Sequence, residues 1–217
     1  MLRLLRSQRP KGSPHEPSSG AEPADPLKSL VAATLRGDRA AERTLLVTLG
    51  PALLRAVRGV LGATHPEVED VLQEAMTAVH TALGDFRGEC GTRHFACRVA
   101  VQTALNARKR AGYRSRHTPS LAPDEISELA RDERSPAEEH AATARRNALR
   151  NLLDELPAAQ AESLALHVVL GYSVDETARA MRTPRDTVRS RLRTALATLR
   201  ARVDTDAALL EILDVRS

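Results

Sequence analysis

The residues best placed to do chemistry in this sequence are arginines near its C-terminal end. The stretch TPRDTVRSRLRTALATLRARV, residues 183–203, contains six arginines and one aspartate. Guanidinium groups donate paired hydrogen bonds to phosphate oxygens and to guanine edges, and the small Ser, Thr and Ala between them allow close approach to a groove. Taken alone, such a run is also explained by a solvated helix face. The pattern favours nucleic-acid binding over catalysis.

The same stretch has the period of a helix with two unlike sides. At about 100° per residue, Val188, Leu192, Ala195 and Leu199 fall on one side, which we expect to be buried. Arg185 lies near the helix start, where its side chain would lie close to a phosphate or a base edge. The opposite, exposed side is predicted to consist of Asp186, Arg189, Ser190, Arg193, Thr194 and Ala197.

The residues ahead of this helix predict the rest of a helix-turn-helix. Ser173-Val174-Asp175-Glu176 has the spacing of a capping box and opens a short helix that runs to Met181. After a tight turn, Thr183 as N-cap, Pro184 at the first helical position and Asp186 in the first turn predict a second helix start. A short helix, a tight turn and a longer helix make up the helix-turn-helix arrangement.

Composition limits the fold class. The chain of 217 residues has no Trp, two Tyr and two Phe, so its core must be built from Leu, Val and Ala. This favours small helical modules over a sandwich or a barrel. Two cysteines are too few for a secreted disulfide scaffold, so a reducing cytoplasm is predicted. No run approaches a membrane span in length, and the first residues lack the apolar segment of a signal peptide, so we expect no membrane insertion.

Catalytic and metal sites find little support in the sequence. It contains no glycine-rich phosphate loop, nucleophile elbow or paired-carboxylate site. Cys90, His94 and Cys97 have spacings that zinc ligands can use, but a fourth ligand is not evident. We therefore predict neither an enzyme nor a metal or other cofactor, and we interpret the cysteines as buried thiols.

The chain divides into segments of different character. Residues 1–26 are rich in Pro, Ser, Gly and charge and predict a disordered leader. Residues 27–111 predict a four-helix domain, and residues 139–203 a helix-turn-helix domain in which Gly171 ends a helix. Residues 112–138 predict a flexible linker, and residues 204–217 form a tail. We thus predict an all-α fold of two small helical domains joined by a flexible linker.

A second basic stretch lies at the end of the first domain. Residues 98–117 contain six arginines and lysines and no acidic residue. A basic helix end stabilised by the helix dipole is the alternative explanation. Two basic surfaces on two domains, joined by a linker able to span about 70 Å, suggest one duplex held at two places about two turns apart.

Five short motifs follow one another along residues 27–203. They are Asp70-Val71-Leu72-Gln73-Glu74-Ala75, Asp85-Phe86-Arg87-Gly88-Glu89, Arg98-Val99-Ala100-Val101-Gln102-Thr103-Ala104, Leu156-Pro157 and Thr187-Val188-Arg189-Ser190-Arg191-Leu192. In this order and spacing the motifs resemble those of bacterial RNA polymerase sigma factors of the extracytoplasmic-function (ECF) type.

This resemblance implies a sigma factor that directs promoter-specific initiation by recognising −10 and −35 elements. It implies core RNA polymerase, met at the β′ clamp and the β flap, and promoter DNA as partners; an anti-sigma factor stays open. The core-polymerase site would consist of Asp70, Gln73 and Glu74. The −10 site would consist of Phe86, Phe95, Arg98, Gln102, Asn106, Arg108, Lys109 and Arg110. The −35 site would consist of Arg185, Thr187, Arg189, Ser190, Arg191 and Arg193.

Two features set this chain apart from the usual family pattern. Aromatic positions of the first domain are held by Thr92, Ala96 and Cys97, and Arg182 occupies the turn where glycine is usual. A non-glycine residue at positive φ costs on the order of 1 kcal/mol. The sequence leaves two other functions open: a helix-turn-helix regulator acting without core polymerase, and a scaffold or inhibitor that keeps the sigma outline but does not open DNA.

Overall fold

A computed structural model describes residues 25–117 and 150–206, with side chains described as far as residue 112 in the first range. Within these ranges the secondary structure is helical throughout, which confirms the predicted all-α class. We refer to residues 25–117 as the first module and to residues 150–206 as the second module. The predicted leader up to residue 24, the linker after residue 117, residues 139–149 and the tail beyond residue 206 lie outside the described residues.

The first module contains the four predicted helices. They are α1 (Lys28–Leu35), α2 (Arg39–Leu61), α3 (Val68–Ala82) and α4 (Thr92–His117), with a 3₁₀ turn at Leu83–Asp85. The carboxylate of Asp38 caps α2 by accepting hydrogen bonds from the amides of Ala40 and Ala41 at 2.9 and 3.1 Å. The helix α4 continues to His117, so the first six residues of the predicted linker, 112–117, are helical.

The core of the first module is aliphatic, as the composition predicted. The helix α2 runs through its centre, and α4 packs against both α2 and α3. The small side chains on α4 let these helices approach closely. The most deeply buried positions, none more than 1% exposed, include Leu45, Leu49, Leu53, Val57 and Val60 on α2, and Ala96, Ala100 and Ala104 on α4.

The second module contains the predicted helix-turn-helix. It has a helical turn at 150–154, α5 (Ala158–Leu164) followed by a π-helical turn (Ala165–Val169), α6 (Val174–Ala180) and α7 (Arg185–Thr205). The capping box that opens α6 is confirmed: the Glu176 amide donates to the Ser173 hydroxyl at 3.1 Å, and the Ser173 amide donates to the Glu176 carboxylate at 2.8 Å. Gly171 has φ of 73°, as a helix-ending glycine does.

The turn between α6 and α7 differs from its prediction in two respects. Arg182 adopts φ of 49°, the strained conformation that its place in the turn led us to expect. Thr183, however, does not cap α7: its hydroxyl donates to the Met181 carbonyl at 3.0 Å, and Pro184 precedes the first helical residue. The N-cap prediction for Thr183 is therefore wrong, because its hydroxyl closes the turn behind it instead. The prediction of Pro184 at the first helical position is also wrong: with ψ of 142°, Pro184 is itself the N-cap, and α7 begins at Arg185.

The two modules pack against each other. The helix α4 contacts α5 and α6, and α2 contacts the π-helical turn. Buried hydrophobic residues of both modules belong to one continuous cluster. The sequence indicates a linker able to span some 70 Å along a duplex. In this structure, without DNA, apolar and charged groups of each module find partners on the other. We call this contact the module interface.

One helix is long and apolar enough to cross a membrane by length and composition. It is α2, Arg39–Leu61, which contains an 18-residue window with a mean hydropathy of 1.5, and 44% of that window is buried inside the fold. The expectation that no run approaches a membrane span is wrong on this measure. A mostly buried core helix passes the same test, and α2 packs against every other helix of the first module.

Candidate binding surfaces

The second helix of the helix-turn-helix, α7, has the two sides that its periodicity predicted. Val188, Leu192, Ala195 and Leu199 are all buried, at most 7% exposed. This seam fixes the rotation of α7 about its axis and therefore decides which residues face outward. The outward residues of the candidate −35 site are Arg185, Arg189, Ser190 and Arg193, which are exposed, and Thr187 and Arg191, which are half-buried.

The arginines of α7 are held only loosely by acidic neighbours. Arg185 Nε lies 3.0 Å from Asp175, and Arg189 Nη1 lies 3.5 Å from Asp186. Such exposed ion pairs contribute about 0–1 kcal/mol, so a DNA phosphate can replace the carboxylate at little cost. The exposed side of α7 is therefore basic, and its arginines are free to exchange these carboxylates for the phosphates along a DNA groove.

Three residues of the candidate −10 site are engaged at the module interface. The Arg98 Nε donates to Glu162 at 2.7 Å, and the Gln102 amide donates to the same carboxylate oxygen at 3.0 Å. Arg108 binds Asp154 through two nitrogens, at 3.0 and 2.7 Å. Only 10% of the Arg108 side chain is exposed. The structure thus brings these three residues together, but against the second module.

The other residues of the candidate −10 site fall into three groups. Phe95 is 7% exposed and packs on Phe86 with ring centroids 4.8 Å apart, so it supports Phe86 from the core, and its contact with a base stays a prediction. Arg110 forms a two-pronged ion pair with Glu74 at 2.7 and 2.9 Å. Asn106 and Lys109 are exposed, beside a cavity of about 310 Å³ that Glu162 also lines.

The candidate polymerase surface is the exposed side of α3. Asp70, Gln73 and Glu74 are all exposed and share one side, as residues three and four apart on a helix do. The hydrogen bonds from Arg110 hold the pKa of Glu74 below its ordinary value. Glu74 therefore stays ionised throughout the neutral range and keeps this surface acidic.

The cysteine and histidine that had zinc-like spacing serve a different purpose. Burial raises the pKa of the Cys97 thiol, and the interaction of the thiol with the Tyr172 hydroxyl of the second module partly opposes this rise. The ring of His94 packs edge-on against Tyr172, with centroids 4.5 Å apart. In the described parts of the chain, no group of three His, Cys, Asp or Glu side chains is placed to hold a metal ion. These residues instead join the two modules.

Sequence reasoning missed the residues of the second module that hold α4. The most important is Glu162, a carboxylate whose side chain is only 10% exposed. A charged residue in the largely apolar run AAQAESLALHVVL, residues 158–170, was the available signal, since a buried charge needs a partner. Nothing in the sequence identified Arg98 and Gln102 as that partner.

Comparison with known proteins identifies both modules. Residues 45–114 match Sigma-70 region 2, and residues 146–199 match Sigma-70, region 4. The chain is 32% identical over 178 residues to the ECF RNA polymerase sigma factor SigD of Mycobacterium tuberculosis. The matched region covers 80% of this chain and 82% of SigD. It is 30% identical over 191 residues to the RNA polymerase sigma-H factor of Pseudomonas aeruginosa, covering 86% and 95% of the two chains.

A solved structure shares the fold. CnrH, in complex with the cytosolic domain of CnrY, superimposes with a TM-score of 0.50 and 24% identity, over 82% of this chain and 97% of that chain. The helical fold and the basic helix-turn-helix are those of a DNA-binding transcription factor. Together with the matches to both sigma regions, they place the chain in the ECF sigma factor family. It is a sigma factor that directs promoter-specific transcription by core RNA polymerase.

Proposed function

We propose that three surfaces of this sigma factor divide its work. The acidic side of α3 binds core RNA polymerase. The segment Asp85-Phe86-Arg87-Gly88-Glu89, which we call the Phe86 loop, recognises the −10 element together with α4, and α7 recognises the −35 element. The observation that carries this proposal is the exposed arginine side of α7, placed opposite a fully buried seam in a helix-turn-helix. We expect the protein to act by binding alone, without catalytic residues, and to act in the cytoplasm beside the chromosome.

Run-off transcription with purified core polymerase tests this function. Core enzyme alone should give no transcript from a promoter-containing duplex. Core enzyme together with this chain should give the transcript without any further protein. A helix-turn-helix regulator acting without polymerase would bind the duplex but give no transcript. A scaffold that cannot open DNA would support transcription from a pre-opened bubble but not from closed duplex.

An anti-sigma factor is a proposed further partner. The relative CnrH was solved bound to the cytosolic domain of CnrY. We propose that a protein of that kind regulates this chain as well, by covering surfaces needed for polymerase or DNA. Copurification of the tagged chain from its own cells, with and without added core polymerase, tests whether another protein competes for it.

Arg189 should contribute to the choice of −35 sequence. Its side chain lies on the exposed side of α7, half-exposed, with only a weak ion pair to Asp186. If it reads a base edge, Arg189→Ala should cost about 1–3 kcal/mol and relax the preference at one position. Binding selection from a randomised promoter library measures this. Arg200→Ala, an exposed arginine further along the same helix, is the matched control, and an unchanged preference in Arg189→Ala would contradict the role.

Lys109 should contribute through charge alone. It is exposed on α4 next to Asn106, where an ammonium group can meet a phosphate. Lys109→Ala is expected to weaken DNA binding equally for all sequences and to reduce the slope of log K against log salt by about 1. Titrations of fluorescent DNA at several salt concentrations give this slope. Arg43→Ala removes an exposed cation from α2 and should leave it unchanged; a sequence-selective loss in Lys109→Ala would refute the prediction.

A further inference from the structure

One carboxylate joins the start of α1 to the start of α4. Asp25 Oδ1 accepts a hydrogen bond from the Leu27 amide at 3.0 Å, in the turn before α1. Asp25 Oδ2 accepts from the amide and from the hydroxyl of Thr92, at 2.6 and 2.5 Å, although Thr92 lies 67 residues further along the chain. Because the N-terminus of a helix carries partial positive charge, two helix starts stabilise the carboxylate between them.

Asp25 supplies α4 with a cap that the neighbouring residues of the chain lack. The helix begins at Thr92, and the preceding Gly91 accepts its first hydrogen bond, from the Phe95 amide at 3.1 Å. Gly91 therefore holds the N-cap position, where it has no side chain to accept from the amides of the first turn. The Asp25 carboxylate provides that acceptor from elsewhere in the sequence. The start of α4 is thus fixed by a tertiary contact.

Each partner of this contact depends on the other. Burial opposes the charge of Asp25, but the hydrogen bonds from Thr92 and Leu27 outweigh it and hold the pKa of the Asp25 carboxyl below its ordinary value. Thr92 is completely buried, and a buried hydroxyl without a partner is costly. The contact therefore consists of an ionised acceptor and two donors that no water molecule can readily replace.

The same end of α1 also contacts the Phe86 loop. The helix α1 packs against the 3₁₀ turn at Leu83–Asp85, where the loop begins. Within the loop, Gly88 has φ of 72°, and a Cβ at Gly88 would lie 3.8 Å from Lys28 Cε of α1. The bond from Asp25 to the start of α4 follows the loop directly. Asp25 and α1 together therefore contact the chain before, within and after the segment that presents Phe86.

We propose that Asp25 is a positioning residue for −10 recognition: through Thr92 it fixes the start of α4 and thereby the place at which Phe86 meets an unpaired base. The proposal rests on the assignment of the Phe86 loop to the −10 element under the proposed function. Asp25 acts by holding the residues that contact DNA. A displacement of about 1 Å can cost a binding group much of its effect, so loss of the contact slows promoter opening and leaves the polymerase surface on α3 intact.

Promoter opening by the assembled complex of this chain with core polymerase tests the proposal. The probe is a promoter duplex selected with the wild-type complex from a randomised library, and permanganate oxidation of unpaired thymines follows the opening of its −10 element. Asp25→Ala should slow opening about tenfold when core polymerase is saturated with the chain, as expected for the loss of hydrogen bonds to a charged group. The affinity for core polymerase, measured without DNA, should not change.

Asp38→Ala is the matched control. Asp38 also caps a helix of the first module, since it accepts two amide hydrogen bonds at the start of α2, but it lies at the opposite end of α1 from Asp25. Its loss should lower the free energy of unfolding and leave the opening rate unchanged. Equal slowing in Asp38→Ala and Asp25→Ala would mean that the stability of the module sets the rate, and would overturn the proposal.

A second variant approaches the contact from its other side. Thr92→Val removes only the hydroxyl donor and keeps the shape of the side chain, so it tests the proposal even if Asp25→Ala does not fold. It should also slow opening, by less than Asp25→Ala does. The double variant Asp25→Ala/Thr92→Val should open no more slowly than Asp25→Ala, because the two residues share one contact. Additive slowing would mean that they act separately, against the proposal.

A serine at position 91 separates the link to α1 from helix capping alone. Gly91→Ser gives α4 an N-cap side chain of its own, and a Cβ at Gly91 makes only an ordinary contact with His94 Nδ1 at 3.6 Å. Combined with Asp25→Ala, it should restore the free energy of unfolding but not the opening rate. Full recovery of opening would mean that a local cap is sufficient, and the positioning role of Asp25 would be lost.

Failure of this proposal differs from failure of the proposed function. If Asp25→Ala opens the promoter as fast as the wild type, the role of Asp25 is overturned and the proposed function stands. Phe86→Ala tests the function itself: unchanged opening in that variant would remove the Phe86 loop from the −10 site, and the role of Asp25 with it. A wild-type chain that forms no open complex with core polymerase overturns the proposed function.

Discussion

Glu74→Lys should weaken the association of this chain with core RNA polymerase by roughly 30-fold or more, equivalent to about 2 kcal/mol. The reason is electrostatic. Glu74 lies on the exposed acidic side of α3 together with Asp70 and Gln73, and its ionised state is stabilised by Arg110. Replacing it by a cation puts a repulsive charge at the proposed contact. Titration of a labelled chain with core enzyme, without DNA, measures the effect.

The ion pair between Glu74 and Arg110 calls for a control. Arg110 donates to both carboxylate oxygens, so Glu74→Lys also leaves two cations side by side. Both side chains are about half exposed, and such a pair contributes little to stability. Adding Arg110→Glu restores an ion pair with the charges exchanged. Recovery of polymerase binding in this double variant would mean that Glu74 acts only through Arg110, which contradicts a direct contact.

Local signals in the sequence predicted the individual helices well. The capping box of Ser173 and Glu176 works through neighbours three residues apart, so the sequence contains all of it. The same holds for the buried seam of α7, because helical periodicity alone places Val188 and Leu192 on one side. Thr183 was mispredicted because its hydroxyl had two local partners to choose from, and sequence does not rank them.

The sequence predicted the candidate DNA surface on α7 more completely than the one on α4, and the reason is physical. On α7 the exposed side follows from the buried side, so its arginines could be assigned from the sequence. On α4 the basic residues were found, but their partners are 46 and 64 residues away in the chain, as in Arg108–Asp154 and Arg98–Glu162. Such pairs depend on how two modules dock. Charge composition shows that α4 can bind an anion, and only the structure shows that the anion is a carboxylate of the same chain.

The core of the first module contains few aromatic side chains. Phe86 and Phe95 pack together at one end, near the proposed −10 loop, and the remainder is built from Leu, Val and Ala. Removing a leucine from the centre of such a core leaves a cavity between helices that are already in close contact. Alanines on α4 have no side-chain length with which to fill it.

Leu53→Ala should therefore cost about 2–5 kcal/mol of the free energy of unfolding. Leu53 is completely buried at the centre of α2, in the hydrophobic cluster of the first module. Leu54, its neighbour on the same helix, is only partly buried, so Leu54→Ala is the matched control and should cost clearly less. Denaturant unfolding followed by helical circular dichroism measures both through the midpoint and slope. Equal losses in the two variants would mean that α2 is not the central packing element, and that the aliphatic core tolerates a missing leucine by collapse.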